Sequence, residues 1–286
     1  MHRIRAFRLT IAFAVAASAM LGALRCGGSA FSNAPATSDG GQPSDGATPQ
    51  IDAGGGGGGG MDSAPPLGFC ASLMPQPFFC DDWDDGELTK GWNPLPVLSR
   101  YGDVSLDTTI VKSMPRSLLA DTTHVVSNET TVALLQREVG HVKTFRFGVD
   151  VYVESYGFGP TFPASEFTAL TSLAIDNVSL SFAIVAPSEC DLVEGLSADA
   201  GTAVAHPIVP GLPMGAWTRL QINATLATTV SPGSAVVMLG GNTVYTGPLS
   251  IQAQQGISNT LSLGLYLTNA PATWKVHYDN LIFDKT

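Results

Sequence analysis

The chain has 286 residues, of which 44% are hydrophobic and only 13% are charged, and its net charge is −10 at neutral pH. This acidic balance argues against nucleic-acid binding and against electrostatic attachment to an acidic membrane surface. A low charged fraction together with 31 glycines and 19 prolines is typical of an exported β protein with many turns.

The first segment has the form of an export signal. Arg3, Arg5 and Arg8 precede an apolar run over 9–24. A positive region before a short apolar stretch is typical of a secretory signal peptide. The run is marginal for a spanning helix, which needs about 20 apolar residues. We therefore predict export rather than a retained membrane helix.

Cys26 stands where the apolar run ends and is followed by Gly-Gly-Ser. This junction resembles the lipobox of bacterial lipoproteins, although Arg25 stands where that family has Gly or Ala. The resemblance implies a signal peptide over 1–26, lipidation of Cys26, and an outer-membrane or cell-surface location in which the lipid is the only membrane contact. Cleavage after Ala19 or Ala30 stays open, and it would give a soluble secreted or periplasmic protein.

Residues 27–67 have the composition of a spacer. Ser, Thr, Pro, Asp and Gly dominate the segment, and 54–60 is an unbroken run of glycine. Such a segment cannot bury enough apolar surface to offset the entropy lost on ordering. We therefore predict a disordered tether that holds a folded domain, 68–286, away from the membrane.

Three more cysteines follow the tether: Cys70, Cys80 and Cys190. In an oxidising compartment two of the three are expected to pair. Cys70 and Cys80 are close in sequence and bracket a proline-rich loop. We therefore predict that these two form a disulfide and that Cys190 is a buried free thiol.

From residue 68 onward, alternating apolar and polar residues predict a series of β-strands. In 145–153, for example, Phe145, Phe147 and Val149 alternate with polar side chains, which is the pattern of a half-buried strand. The predicted strands, in chain order, are 78–83, 116–120, 131–139, 145–153, 167–175, 178–184, 220–226, 235–239, 243–245, 261–267 and 274–283. Many short strands separated by turn residues predict an all-β sandwich or barrel.

Four short motifs stand in order along this predicted domain. They are an acidic entry, 79–86, followed by a tryptophan; 114–120; 217–220 followed by a glycine-turn hairpin; and 274–281, which contains Asp-Asn. In this order they resemble the concanavalin A-like, or laminin G-like, jelly-roll domains of bacterial surface proteins. The resemblance covers about Phe69 to Thr286 and implies a sandwich of two antiparallel sheets. The class includes lectins, adhesion modules and glycosidases, so the fold does not settle the function.

In jelly rolls of this class the first and last strands often lie side by side and hold a structural calcium ion. The acidic entry contains Asp82, and the last predicted strand contains Asp279. The resemblance therefore implies a calcium site with Asp82 and Asp279 as ligands, since calcium prefers oxygen ligands. An alternative without calcium stays open. In it, the acidic entry is a turn in solvent, and Asp279 accepts hydrogen bonds from the backbone.

Glu189, Asp191 and Glu194 have the spacing E-x-D-x-x-E. This resembles the catalytic strand of laminarinase-type glycoside hydrolases, and the resemblance implies a retaining endo-glucanase with Glu189 as nucleophile, Glu194 as acid/base and Asp191 tuning the pair. Residues five apart in a regular strand face opposite ways, so this chemistry needs a bulge. Cys190 departs from the family, and 196–213 is predicted to be turn-forming without Trp or Tyr for a sugar subsite. We therefore predict that the three acidic residues are not catalytic.

The remaining aromatic and histidine residues give no further site. Trp217 and Trp274 are expected in the core, as most such residues in sandwiches are. The histidines are scattered and have no neighbouring ligand types, so no zinc site is predicted.

Together these patterns predict an exported, lipid-anchored surface protein whose jelly roll is a binding or adhesion module for a surface partner, including glycans. One alternative is the endo-glucanase described above. The other is a structural envelope protein without a small ligand.

Overall fold

We describe the protein from a computed structural model. The structure describes residues 68–92, 97–123, 130–157, 168–175, 178–186, 189–195, 203–253, 258–267 and 273–286. The predicted signal peptide, Cys26 and the predicted tether over 27–67 lie outside the described residues. Within the described part of the chain, no helix has both the length and the apolar character needed to cross a membrane.

The described residues form one short helix and fifteen strands, as the predicted all-β class requires. The helix is α1 (Phe69–Ser72). The strands are β1 (Phe79–Asp81), β2 (Val97–Arg100), β3 (Asp103–Asp107), β4 (Ser117–Asp121), β5 (Thr131–Gly140), β6 (Thr144–Gly157), β7 (Thr168–Ile175), β8 (Val178–Ala186), β9 (Glu189–Glu194), β10 (Val204–Ile208), β11 (Thr218–Thr225), β12 (Gly233–Leu239), β13 (Asn242–Leu249), β14 (Asn259–Leu267) and β15 (Thr273–Lys285).

The strands form two antiparallel sheets, which confirms the predicted jelly-roll sandwich. The eight-stranded sheet has the order β13-β12-β11-β6-β15-β4-β3, with β1 also paired to β15. The seven-stranded sheet has the order β10-β9-β8-β7-β14-β5-β2. Non-consecutive neighbours such as β6 and β15 bring together segments that are more than a hundred residues apart.

The core lies between the inner faces of the two sheets. Each strand contributes alternate residues, because successive side chains of a strand point to opposite faces. Phe147 of β6, Phe182 of β8 and Trp274 of β15 are among the largest side chains buried there. The outer faces carry the polar residues of the same alternation, and the functional residues must therefore be sought on them or at the sheet edges.

The strand β10 corrects one prediction. The segment 196–213 was expected to be turn-forming, yet Val204–Ile208 pairs with β9 in continuous register. Most of its residues are exposed because β10 is the last strand of its sheet. An edge strand needs no apolar alternation and tolerates Pro207, so its sequence does not resemble that of a central strand.

The first strand, β1, packs beside the end of the last strand, with Asp81 opposite Leu281. The Asp81 carboxylate accepts a 2.6 Å hydrogen bond from the Trp92 indole N–H and a 3.0 Å bond from the Trp83 backbone N–H. Burial nevertheless raises the pKa of Asp81 to about 7, because removal from water disfavours the charged form more than these donors favour it.

This raised pKa predicts a pH-dependent stability. Between the ordinary value of 3.8 and about 7, folded Asp81 holds a proton that the unfolded chain has lost. The free energy of unfolding should therefore fall as the pH rises through this window. We expect Asp81→Asn to flatten the fall, measured by urea unfolding across the window. Asp284→Asn, on β15, is the control, and an unchanged slope in Asp81→Asn would contradict the assignment.

Candidate functional site

The predicted site residues begin with the cysteines. A disulfide joins Cys70 and Cys80 and so ties α1 to the first strand. Cys190 is free and buried, and burial raises the pKa of its thiol to about 12. A thiol that stays protonated is a poor nucleophile and a poor metal ligand, so Cys190 has a packing role.

The two predicted calcium ligands lie where the first and last strands run side by side. The Asp82 carboxylate accepts a 2.9 Å hydrogen bond from the backbone N–H of Cys70. It thereby holds the disulfide-linked helix against the sheet. Within the ranges that the structure describes, no group of three or more His, Cys, Asp or Glu residues could hold a metal ion.

Asp279 is fully buried and accepts hydrogen bonds with both of its carboxylate oxygens. One oxygen accepts from the backbone N–H groups of Lys112 and Ser113, at 3.0 and 2.8 Å. The other accepts from the Ser113 hydroxyl at 3.0 Å and from the Asn280 backbone N–H at 2.8 Å. Asp279 thus fixes the loop before β4 to the middle of β15. This arrangement corresponds to the alternative in which Asp279 accepts backbone hydrogen bonds.

Asn280 completes this arrangement. Its φ is 53°, in the left-handed region that asparagine tolerates better than most residues. The Asn280 side chain donates to Asp150 at 2.9 Å, and the Asn280 carbonyl accepts a 2.6 Å bond from Arg219. We call Asp150, Arg219, Asp279 and Asn280 the Asp-Asn lock. The lock accounts for the Asp-Asn pair of the closing motif as a structural feature.

The proposed catalytic triplet is not assembled on one face of β9. The pairing of β9 with β10 is continuous from Cys190 to Glu194. The pairing of β9 with β8 shifts at Glu189, but the extra residue, Val185, belongs to β8, so β9 itself has no inserted residue. Glu189 and Asp191 therefore point to one side of the sheet and Glu194 to the other, as regular alternation requires. The segment 159–164, which resembles a cleft loop of the hydrolases, lies outside the described residues.

Glu194 has a structural role at the edge of the sandwich. One of its oxygens accepts from the backbone N–H groups of Ser250 and Ile251 at 2.6 and 2.7 Å. The other lies 2.8 Å from Nε2 of His206. Because Ser250 follows the last residue of β13, this carboxylate joins the edges of the two sheets.

A second group of polar residues lies on the outer face of the eight-stranded sheet, around a buried histidine. His277 of β15 is 1% exposed and has a carboxylate beside each ring nitrogen. Its Nε2 lies 2.9 Å from Glu154 Oε2, and its Nδ1 lies 3.4 Å from Asp107 Oδ2. Asp107 is itself held by the Ile110 backbone N–H at 2.8 Å, whereas Nδ1 of the histidine makes no hydrogen bond to a described residue.

Two aromatic rings lie next to this histidine. The Tyr152 ring is opposite His277 in the strand pairing and meets the imidazole edge to face at 5.9 Å. The Trp217 ring lies 5.5 Å from the Tyr152 ring at 50°. Both aromatic residues are half-buried, so part of each ring faces solvent. We call Asp107, Tyr152, Glu154, Trp217 and His277 the His277 patch.

The position of Trp217 corrects its expected place in the core. Leu220 and Ile222 of the following strand are buried, and residues at odd positions such as Arg219 face outward. Trp217 belongs to the odd set, so the period-two alternation itself indicated the outer face. Trp274 is fully buried, as expected.

The carboxylate of Glu154 is the open polar group of the patch. Its side chain is 35% exposed, and Oε2 faces the histidine. No described residue donates a hydrogen bond to Oε1, which leaves that oxygen available to a ligand. The patch therefore combines two partly exposed ring faces with an oriented acceptor, which are the elements of a small polar binding site.

The alternation placed Tyr152 and His277 on the outward set of their strands but did not show that they meet. Glu154 follows the predicted strand 145–153 and lies at a shift in the pairing of β6 with β15, which brings the three residues together. No local pattern encodes the pairing of strands that are so distant along the chain.

The Asp-Asn lock can be tested by removing its central carboxylate. Asp279→Ala leaves three backbone N–H groups without their acceptor, so we expect a loss of roughly 2–4 kcal/mol in the free energy of unfolding. The control is Asp284→Ala on the same strand, whose carboxylate accepts a 3.1 Å hydrogen bond from the adjacent Lys285 N–H. That variant should stay within about 0.5 kcal/mol of wild type. Equal losses in chemical denaturation would refute the role given to Asp279.

No protein-family model matches the chain, and no curated protein matches it. Solved structures do share its fold. The endo-β-1,4-glucuronan lyase of the fungus Trichoderma reesei is 16% identical, with a TM-score of 0.55 over 73% of this chain and 96% of that one. The cellulose-induced protein Cip1 is 13% identical, with a TM-score of 0.51 over 73% of this chain and 97% of that one. At these identities the likeness establishes the jelly-roll sandwich and nothing finer.

Proposed function

We propose that this protein is an exported, lipid-anchored surface protein whose jelly roll binds glycans at the His277 patch. The observation that carries the proposal is the pairing of two half-exposed rings, Tyr152 and Trp217, beside the oriented carboxylate of Glu154. The leader over 1–26 and the tether over 27–67 supply export and distance from the membrane.

The chemistry of the patch fits a sugar ring. A pyranose has an apolar face of C–H groups that packs on an aromatic ring, and hydroxyls at its rim that need acceptors and donors. Tyr152 and Trp217 offer the ring faces, and Glu154 Oε1 offers the acceptor. His277 holds Glu154 in place through a 2.9 Å contact, so little side-chain entropy is lost when a ligand binds.

One further observation supports a glycan as the ligand, and a second makes binding a better interpretation than hydrolysis. The fold neighbours named above are, by their names, a glucuronan lyase and a cellulose-induced protein. The hydrolase alternative has less support, because Glu194 is separated from Glu189 by the sheet and is occupied at the sandwich edge. A binding module is therefore the function that the geometry favours.

The first test is binding with and without the aromatic rings. A glycan array probed with the exported full chain should give at least one ligand. Tyr152→Ala and Trp217→Ala should each weaken its affinity roughly tenfold, since an aromatic contact contributes about 0.5–1.5 kcal/mol beyond its buried area.

Tyr266→Ala is the matched control for this test. Tyr266 is half-buried on β14 and belongs to the other sheet. Its removal should leave affinity unchanged. If Tyr266→Ala abolishes binding while Tyr152→Ala does not, the binding face is the seven-stranded sheet, and an array without ligands refutes glycan binding.

The second test concerns the anchor. In a bacterial host that processes lipoproteins, the wild-type chain should incorporate labelled fatty acid and sediment with membranes, because acylation of Cys26 supplies the hydrophobic attachment. Cys26→Ala should release the chain into the soluble exported fraction. Cys190→Ala, which removes the other unpaired cysteine of the sequence, should not. Wild-type chain that is soluble after export would contradict the anchor.

A further inference from the structure

We infer that the His277 patch selects glycans that carry ammonium groups, such as glucosamine oligomers, over neutral and uronate glycans. The inference rests on the glycan-binding function proposed above and concerns the class of ligand. It follows from how the charges around the patch are paired.

The carboxylates of this face outnumber the cations that could neutralise them. Glu154 and Asp107 flank one imidazole, so the three groups keep a net negative charge even when His277 is protonated. The histidine itself is 1% exposed and offers no cationic surface to a ligand. An incoming ligand therefore meets the open carboxylate of Glu154.

The neighbouring strands add to the negative charge. Asp103 of β3 stands directly opposite Asp121 of β4 in the register of the pair. Like charges in directly opposed positions destabilise a sheet. Lys275 of β15 is paired opposite Asp121, and its ammonium nitrogen lies 3.5 Å from the Asp121 carboxylate. One lysine cannot neutralise both aspartates, so a cationic ligand that lies along this face would relieve their repulsion.

Other cations also lie on this face. Arg219 donates to the carbonyl of Asn280 at 2.6 Å and lies 3.5 Å from Asp150, so it is held in the Asp-Asn lock. Arg146, six residues before Tyr152 on β6, and Lys112, in the loop before β4, are exposed. A polyuronate at the patch would bring its negative charges to the Glu154 and Asp107 carboxylates.

The aromatic rings strengthen the same preference. A cation over the face of Trp or Tyr is attracted by the ring quadrupole, and the attraction grows when a carboxylate lies beside the ring. Tyr152 and Trp217 present such faces next to Glu154. An ammonium group can therefore contact a ring and donate to Oε1 of Glu154, whereas a hydroxyl can use only the hydrogen bond.

The experiment compares oligosaccharides of equal length that differ in charge. Calorimetric titration of the full chain would use glucosamine, N-acetylglucosamine, cellulose and glucuronate oligomers, in mildly acidic buffer where the glucosamine amines are protonated. We expect the glucosamine oligomer to bind about tenfold more tightly than the neutral oligomers at low salt, because a hydrogen bond between two charged groups is stronger than one between a charged and a neutral group. High salt should shrink this ratio, since partly exposed charges are screened.

Two glutamine variants identify the carboxylate responsible. Glu154→Gln removes the charge and keeps an acceptor oxygen, so the glucosamine oligomer should then bind no more tightly than the neutral oligomers. Glu138→Gln removes one negative charge from an exposed position on β5 of the other sheet, so it controls for net charge and should keep the preference.

The outcomes separate the two proposals. Equal affinity for the glucosamine and neutral oligomers, tighter binding of the glucuronate oligomer, or a preference that survives Glu154→Gln would overturn this inference and leave glycan binding standing. Binding of none of the four oligomers, together with an empty glycan array, would overturn both proposals.

Discussion

The eight-stranded sheet depends on an irregularity in the middle of β15, the strand that pairs with β6 more than a hundred residues earlier in the chain. The pairing of β15 with β6 shifts between Asp279 and Ile282, and Asn280 takes a left-handed conformation at that point. The shift lets Leu281 enter the core while Asp279 stays on the outer face. A buried carboxylate and a positive φ each cost free energy, and both are offset by the network that joins Asp150, Arg219 and Asn280.

This lock divides the outer face of the sheet into two halves with different chemistry. Towards the end of β15, Phe69 of the disulfide-linked helix lies over Arg219, with the guanidinium carbon 5.6 Å from the ring centre, so this guanidinium is partly covered. Towards the start of β15 the pairing with β6 shifts again between Lys275 and Val276, with Glu154 as the extra residue of β6, and His277 lies between Glu154 and Asp107. The same strand thus holds the lock at Asp279 and, two residues earlier, orients the Glu154 carboxylate through His277.

Period-two alternation made the central strands predictable, because long apolar side chains fall on every second position of β6, β11 and β14. The edge strand β10 was not predicted. A strand that buries little of either face has no alternation of apolar and polar residues to detect. The Asp-Asn pair and the E-x-D-x-x-E spacing were visible as motifs, but a motif does not show whether its oxygens are free. Asp279 and Glu194 are surrounded by backbone donors from segments far away in sequence, and only the tertiary structure brings these donors to them.

The distribution of hydrogen-bond donors therefore separates structural acids from functional ones. Asp279 and Glu194 have two or more backbone N–H donors each and lie at points where segments or sheets must be held together. Within the described part of the chain Glu154 has no such donors, and its Oε2 contacts a histidine side chain. A carboxylate that is oriented by a buried side chain and left half satisfied contributes less to folding than a fully bonded one. For this reason we propose the ligand site at Glu154 and not at the more conspicuous acidic motifs.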